Sequence, residues 1–226
     1  MIIGLSLGCS HKLVDDKTRY CADDWISWHK KNQEKIGEFN AIEIYMNAET
    51  EKHFKLSKDN YDWLSQFKHI SYHLTQFTDS TAKAIERFPF ITCFVMHINK
   101  SFKLPEEFIK KYGHKIAIEN VAYMAFYSSN EFYNMCLDVA HAWSYGNEGP
   151  NNLYKRFQKH IVMIHLSDLK PEGNHFPLYK SGEGRFRQLH FSMKNYPIII
   201  EASFNSITEM KTELSFLKKR VYHEFN

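Results

Sequence analysis

The chain has 226 residues, of which 43% are hydrophobic, 15% aromatic and 24% charged, and its formal net charge is +3. These proportions exclude a disordered chain, and only nine glycines and six prolines exclude collagen-like and linker-rich architectures. The small net charge is not that of a protein that grips nucleic acid tightly and without sequence preference, although it leaves room for a local basic rim. The unusual feature is the 13 histidines, more than a chain of this length normally carries.

The cysteines and the apolar segments bear on the cell compartment. The four cysteines form no Cys-x-x-Cys pair, so reduced thiols in a cytoplasmic protein are expected. The apolar N-terminal segment lacks the positive charge and the length of a signal peptide, and it predicts a first strand instead. No run reaches 18 apolar residues, so we expect no membrane span. Because no linker-like or low-complexity segment interrupts the chain, one domain over residues 1–226 is expected.

Short apolar runs rich in β-branched residues recur along the chain and predict eight strands. They are continuous rather than alternating, which is typical of parallel strands buried on both faces. In chain order, the predicted strands are Ile2–Leu7, Ala41–Tyr45, His69–His73, Ile91–His97, Lys115–Glu119, Met135–Val139, Val162–His165 and Ile198–Glu201.

Helical patterns lie between these strands. Ser57 is a candidate N-cap, Pro105 suits a first helical turn, and Pro89 and Gly113 are typical of residues that follow a helix. The aromatic segment Ala122–Asn134 has the weakest helical pattern. The other predicted helices are Asp23–Phe39, Leu56–Phe67, Asp79–Phe88, Pro105–Lys111, Asn152–His160, Arg185–Lys194 and Ser206–Val221.

This alternation predicts the α/β class. An open doubly wound sheet and a closed (β/α)8 TIM barrel both alternate in this way. The count of eight strands favours a single compact barrel, and 226 residues lie within the size range of that fold.

Six of the eight predicted strands end on or beside a residue that can bind a metal ion. A lone histidine or carboxylate after a strand is usually a solvated turn residue, but in a barrel all such strand ends converge on one face. Neighbouring carboxylates repel one another unless a cation lies between them, and mixed carboxylate and imidazole ligands suit Zn²⁺, Mn²⁺, Fe²⁺ or Co²⁺. The pattern therefore predicts a divalent metal site formed from four histidines and three carboxylates, His73, His97, Glu119, Asp138, His141, His165 and Glu201.

The motifs that carry these residues, in this order, resemble the xylose isomerase-like TIM barrels. That group includes sugar isomerases and epimerases and the family 2 apurinic endonucleases. The resemblance implies that the core metal is held by Glu119, Asp138, His165 and Glu201. The motifs are IENV with Glu119, LDVAHAW with Asp138 and His141, IHLSD with His165 and Asp168, HFPLYKSGEG with His175, and IIIEAS with Glu201.

Similarity to the isomerase and epimerase branch implies proton transfer next to the carbonyl of a small-molecule sugar or sugar phosphate. Glu119 and Glu201 would move the proton, and His141 would bind the substrate. His73, His97 and His175 would line the pocket. The sequence favours this branch, because the net charge is small and the chain leaves few residues for DNA-binding loops.

Similarity to the endonuclease branch implies instead a zinc-dependent phosphodiesterase with DNA as its partner. In that branch, residues matching His73, His97, His141 and His175 hold further metals, and this chain has all four. It departs from the pattern at Gly173, where an aspartate is expected, although Glu172 could replace it. A third alternative is a barrel that binds a ligand without chemistry, which the intact ligand set makes the least favoured.

Two further residues are candidates for substrate binding. Trp143 follows the Asp138 and His141 motif directly, so it could wall the pocket or pack in the core. Arg185 lies in the Gly-containing segment 181–187, which could bind a phosphate or form an ordinary turn before a solvated helix. Glu43, inside the second predicted strand, would contact substrate only if it pointed inward, and we do not include it in the predicted site.

Overall fold

The computed structural model describes residues 1–45, 55–74, 88–97, 106–120, 134–144, 149–170, 175–181, 183–187 and 189–223. Its strands are β1 (Ile3–Ser6), β2 (Ala41–Tyr45), β3 (His69–Leu74), β4 (Cys93–Met96), β5 (Ile116–Glu119), β6 (Asn134–Asp138), β7 (Ile161–Leu166), β8 (Asp168–Leu169), β9 (His175–Phe176) and β10 (Ile198–Ile200).

Eight of these strands form a closed parallel barrel in the order β1-β10-β7-β6-β5-β4-β3-β2. Closure comes from β1, which pairs with β2 on one side and with β10 on the other, where Ile3 lies opposite Ile198. At Gly4 a side-chain carbon would overlap the carbonyl of Ala41, so only glycine lets β1 and β2 approach so closely. The prediction of a single (β/α)8 barrel is confirmed. The short strands β8 and β9 form an antiparallel pair outside the barrel.

Helices of the described residues follow the strands. Ser57 caps the third helix as predicted, since its hydroxyl accepts a hydrogen bond from the backbone N–H of Asn60. None of these helices is long and apolar enough to cross a membrane. They are α1 (Asp16–Arg19), α2 (Ala22–Ile36), α3 (Lys58–Leu64), α4 (Glu106–Tyr112), α5 (Val139–Ser144), α6 (Pro150–Phe157), α7 (Leu178–Ser181), α8 (Glu183–Phe186) and α9 (Ile207–His223).

The predicted strands are observed with small shifts at their ends. The helix predictions differ from the structure at Arg185–Lys194 and in missing the short helices α1, α5 and α7. The helix predicted over Arg185–Lys194 is interrupted: α8 ends at Phe186 and a separate 3-10 turn covers Phe191–Asn195. The ring of His190 accepts a hydrogen bond from the backbone of Ser192 and caps that turn. Helix α5 was not predicted, and it begins where β6 ends. Residues 79–87 and 122–133, where further helices were predicted, lie outside the described part of the chain.

Apolar side chains pack in two layers. The larger cluster lies between the strands and the helices and includes Leu5, Ile42, Phe94, Ile164 and Leu214. A smaller, separate cluster of inward-facing residues fills the barrel. Its members are Ala41, Cys93, Val95, Ala117, Cys136, Met163 and Ile199. The predicted site residues lie next to this inner layer, at the carboxyl end of the barrel.

Candidate metal centre

Strand alternation explains why the predicted site residues converge. Side chains two positions apart on a strand share a face, so a residue two positions beyond an inner-layer residue also points inward. This register applies to five of the predicted ligands at the carboxyl end of the barrel. The pairs are Val95 and His97, Ala117 and Glu119, Cys136 and Asp138, Met163 and His165, and Ile199 and Glu201.

Glu119 lies at the middle of the cluster and is 1% exposed. Its Oε2 lies 3.0 Å from His73 Nε2, 3.1 Å from His97 Nε2 and 3.3 Å from His165 Nδ1. Its Oε1 lies 2.9 Å from His141 Nδ1. Burial raises the pKa of the Glu119 carboxyl, but the charge of His97 and hydrogen bonds from the other three imidazoles outweigh it, so the net pKa is well below its usual value.

The backbone of Asp138 is held in place by the side chain of Asn120. The Asn120 side chain bonds both peptide groups of Asp138: it donates to the carbonyl oxygen at 2.8 Å and accepts from the backbone N–H at 2.6 Å. The Asp138 Oδ1 accepts the backbone N–H of His141 at 2.6 Å, which fixes the start of α5. Asn120 therefore ties the end of β5, which carries Glu119, to the end of β6.

Glu201, which follows β10, and His175, in β9, complete the cluster. Glu201 Oε2 lies 3.2 Å from His165 Nδ1 and 3.9 Å from His175 Nδ1. The nearer His175 contact is with Ser167, whose hydroxyl lies 2.7 Å from the same nitrogen. Burial raises the pKa of Glu201, but the charge of His165 and its hydrogen bond outweigh burial and leave the net pKa far below its usual value.

The donor set fits divalent metal ions. In each of four groups, one ligand atom per residue lies within 4.8 Å of the others. The buried Asp138 Oδ2 makes no hydrogen bond to any described residue, although burying a carboxylate oxygen without a partner is costly. Mixed imidazole and carboxylate donors suit a borderline transition metal. The groups are His73, His97 and Glu119; His73, His165 and Glu201; Asp138, His141 and His175; and Glu119, Asp138, His165 and Glu201.

A cavity of about 440 Å³ opens beside these ligands. Two aromatic side chains, Trp25 and Tyr45, form part of its wall, and neither lysine nor arginine is among the described residues that line it. Besides these two, the lining comprises Ser6, Gly8, Cys9, His11, His73, His97, Glu119, His141, His175, Glu201 and Ser203.

Trp143 and Arg185 lie together, but neither is among the residues that line this cavity. The Arg185 guanidinium lies 5.0 Å from the centre of the Trp143 ring, and its Nη1 lies 3.0 Å from Asp168 Oδ1. Trp143 also packs against the main hydrophobic core. Glu172 and Gly173 fall outside the described residues.

The sequence prediction left out Glu43, which is fully buried. Its Oε2 lies 2.8 Å from His165 Nε2 and accepts the Ser71 hydroxyl at 3.0 Å. A signal was present, since Glu43 interrupts an otherwise apolar strand two positions after the inner-layer residue Ala41. A carboxylate in a doubly buried strand needs hydrogen-bond partners, which on this face are those of the site.

No protein-family model matches the sequence, and no curated protein matches it. Solved structures do share its architecture. One is a xylose isomerase domain protein from Planctomyces limnophilus, 11% identical, with a TM-score of 0.57 over 98% of this chain and 95% of that chain. Another is a family 2 AP endonuclease from Brucella melitensis, 10% identical, with a TM-score of 0.54 over 96% of this chain and 98% of that chain.

A third structure is that of the TTHB071 protein from Thermus thermophilus, soaked with ZnCl2. It is 13% identical, with a TM-score of 0.50 over 97% of this chain and 99% of that chain. Likeness at such low identity is evidence of fold and not of reaction. The chain therefore has the fold of the xylose isomerase-like TIM barrels, as the motifs predicted.

Proposed function

We propose that the chain is a metal-dependent phosphodiesterase whose site holds two divalent ions on either side of Glu119. The observation that carries this proposal is the position of the Glu119 carboxylate in two ligand groups. His73 and His97 contact one oxygen of this carboxylate, while Asp138, His165 and Glu201 complete the other group. A single ion needs only the second group, so the two extra histidines support a second ion.

His73, His97 and Glu119 would hold one ion, and Glu119, Asp138, His165 and Glu201 would hold the other. When bound, such a pair of ions supplies Lewis-acid polarisation of a phosphoryl oxygen and activation of the attacking water. Zinc suits this donor set, and the structure of TTHB071 soaked with ZnCl2 supports its choice. His141 and His175, with Asp138, offer a further group of ligands.

The cavity residues would bind and orient the substrate. Burial, followed by the charges of Glu201, Glu43 and Glu119, raises the pKa of the Tyr45 hydroxyl. Tyr45 therefore keeps its proton at neutral pH and can donate a hydrogen bond to a substrate oxygen. Trp25 offers an apolar face for a sugar or a base. A phosphodiester is the substrate class that suits two ions placed in this way.

The second candidate function is isomerisation or epimerisation of a sugar or sugar phosphate, which the sequence alone favoured. The aromatic wall and the lack of lysine and arginine among the described lining residues support it. In this alternative Glu119 and Glu201 transfer the proton beside one ion. The additional ligand group formed by His73, His97 and Glu119 puts the phosphodiesterase first.

The variant His97→Ala separates the two candidates, because His97 belongs only to the group with His73 and Glu119. We expect the purified variant to hold about one ion fewer per chain by elemental analysis. Zinc-dependent cleavage of an abasic-site DNA duplex and of bis(p-nitrophenyl) phosphate should fall about 100-fold, as when a comparable electrostatic element is removed from an active site.

The matched control is His114→Ala, which removes an exposed histidine that belongs to none of the ligand groups found among the described residues. It should keep the metal content and the activity of the unmodified protein. The phosphodiesterase proposal is wrong if the zinc-supplied protein cleaves neither substrate. The two-ion site is wrong if His97→Ala keeps its full metal content.

A further inference from the structure

Glu43 makes a contact that crosses the barrel. It lies on β2, whereas His165 lies on β7, and β1 and β10 separate these strands in the sheet. The bond of 2.8 Å between Glu43 Oε2 and His165 Nε2 therefore passes through the interior. Both side chains are fully buried, so water does not compete for this bond.

Ser71 fixes the Glu43 carboxylate from the neighbouring strand. Glu43 and Ser71 are direct partners in the register of β2 and β3, and the Ser71 hydroxyl donates to Glu43 Oε2 at 3.0 Å. The oxygen that receives the His165 bond is therefore held by a second donor. This arrangement limits the positions that the His165 ring can take.

The other nitrogen of His165 faces the proposed metal centre. Nδ1 lies 3.3 Å from Glu119 Oε2 and 3.2 Å from Glu201 Oε2. A neutral imidazole carries one N–H and one lone pair, so a proton on Nε2 leaves the lone pair on Nδ1. A carboxylate that accepts the Nε2 proton thus selects the tautomer that can bind a cation at Nδ1.

We propose that Glu43 is a positioning residue that holds the Nε2 proton of His165 and directs the Nδ1 lone pair at the ion shared by Glu119, Asp138 and Glu201. This inference rests on the proposed metal centre. It assigns the only buried carboxylate among the described residues of β2 to the centre, although Glu43 itself belongs to none of the ligand groups found among the described residues.

The test compares Glu43→Met with Glu43→Gln. Methionine keeps the side-chain volume but accepts no comparable hydrogen bond, whereas glutamine keeps an acceptor oxygen. We expect the zinc affinity, measured by competition with a chromophoric chelator, to fall about 10- to 100-fold in Glu43→Met and less in Glu43→Gln. Nitrogen-15 NMR of the unmodified protein should show His165 protonated at Nε2, and that signature should be lost in Glu43→Met.

The control is Ser71→Ala, which leaves the carboxylate and its bond to His165 in place and should change the zinc affinity by less than Glu43→Met. The unfolding transition of each metal-free variant is also measured, to establish that the zinc affinities being compared are those of folded proteins. A folded Glu43→Met that binds zinc as tightly as the unmodified protein overturns the role of Glu43 alone. Failure of the unmodified protein to bind zinc overturns both this role and the metal centre.

Discussion

At the scale of single residues, buried histidines are found in two environments, with and without a neighbouring carboxylate. Burial lowers the pKa of His141, but the carboxylates of Asp138 and Glu119 outweigh it and raise the pKa to about 9. His29 and His69 are buried away from carboxylates, and burial lowers the pKa of each to about 4. Similar rings thus gain or lose a proton according to whether an anion accompanies burial.

His29 predicts a loss of stability in acid. Its pKa of about 4 in the folded chain lies below the ordinary histidine value of 6.5. Between these values the unfolded chain binds more protons, so the free energy of unfolding falls as the pH drops from 6.5 towards 4. We expect His29 to contribute about 3 kcal/mol of this fall. Asparagine at this position does not titrate there, so His29→Asn should lose its share of the pH dependence.

The measurement is chemical denaturation of the unmodified protein and of His29→Asn at about pH 7 and about pH 4.5, which bracket most of the titration. The same change at the exposed His114 serves as the control for removing one histidine. Equal losses of stability in acid for the unmodified protein and for His29→Asn would contradict this account of the buried ring.

The sequence predicts the ligand residues because strand ends converge in a barrel whatever their neighbours are. It does not place Glu43, since the strand pattern alone leaves open whether a carboxylate in an apolar run points inward. The position of Arg185 depends on Asp168 and Trp143, which approach it only in the folded chain. Side-chain partners of this kind depend on tertiary distances that no local pattern contains.

At the scale of elements, α9 supports the segment that carries His175. The Glu213 carboxylate accepts the backbone N–H groups of Leu178 and Tyr179 at 2.9 and 3.0 Å. These groups begin α7, shortly after His175 in β9. The first N–H groups of a helix have no hydrogen-bond acceptor within that helix. The buried Glu213 carboxylate of α9 is the acceptor for two of them in α7. A distant helix thus fixes the approach of His175 to the site.

Glu213 predicts the opposite pH dependence to His29. Burial raises its pKa to about 7 from the ordinary glutamate value of 4.5, despite the two N–H groups and Lys180. The folded chain therefore binds more protons between these values, and its stability falls as the pH rises from 4.5 to 7. We expect this contribution to be about 3 kcal/mol and to be missing in Glu213→Gln, as measured by denaturation across that range.

Glu209, one turn away on α9, is the matched control. Burial raises its pKa, but the backbone of Asn205 and the side chain of Lys180 outweigh burial and lower it. Its contribution is lost as the pH falls, so Glu209→Gln should change the pH dependence in the opposite direction. The account of Glu213 is wrong if Glu213→Gln and the unmodified protein keep a constant difference in stability from pH 4.5 to 7.

Element boundaries were predictable where burial sets them. The continuous apolar runs mark the barrel strands, since parallel strands are covered on both faces. The break after α8 was not predicted. His190, which caps the 3-10 turn that follows, stacks on Tyr154 with ring centres 4.7 Å apart. Tyr154 lies on α6, so this interaction is tertiary.

At the scale of the whole molecule, the apolar residues that stabilise the barrel and the polar residues of the candidate site occupy different layers of its interior. The inner apolar layer fills the barrel, and the next inward-facing position on five strands carries a residue of the candidate metal centre. The strand pattern indicates that side chains alternate between inward and outward positions and that the eight strands close into a barrel. The fold and the convergence of the candidate site residues therefore followed from the sequence. The order of the two candidate functions did not follow from the sequence, because it depends on the tertiary distances that bring His73 and His97 beside Glu119 as a second ligand group.

Anomalous X-ray diffraction from crystals grown with zinc tests the central claim most directly. The account predicts one peak bound by His73, His97 and Glu119, and a second bound by Glu119, Asp138, His165 and Glu201. Data collected on both sides of the zinc absorption edge identify the element at each peak. A single peak within the Glu119, Asp138, His165 and Glu201 group, or no zinc at these residues, would contradict the two-ion centre.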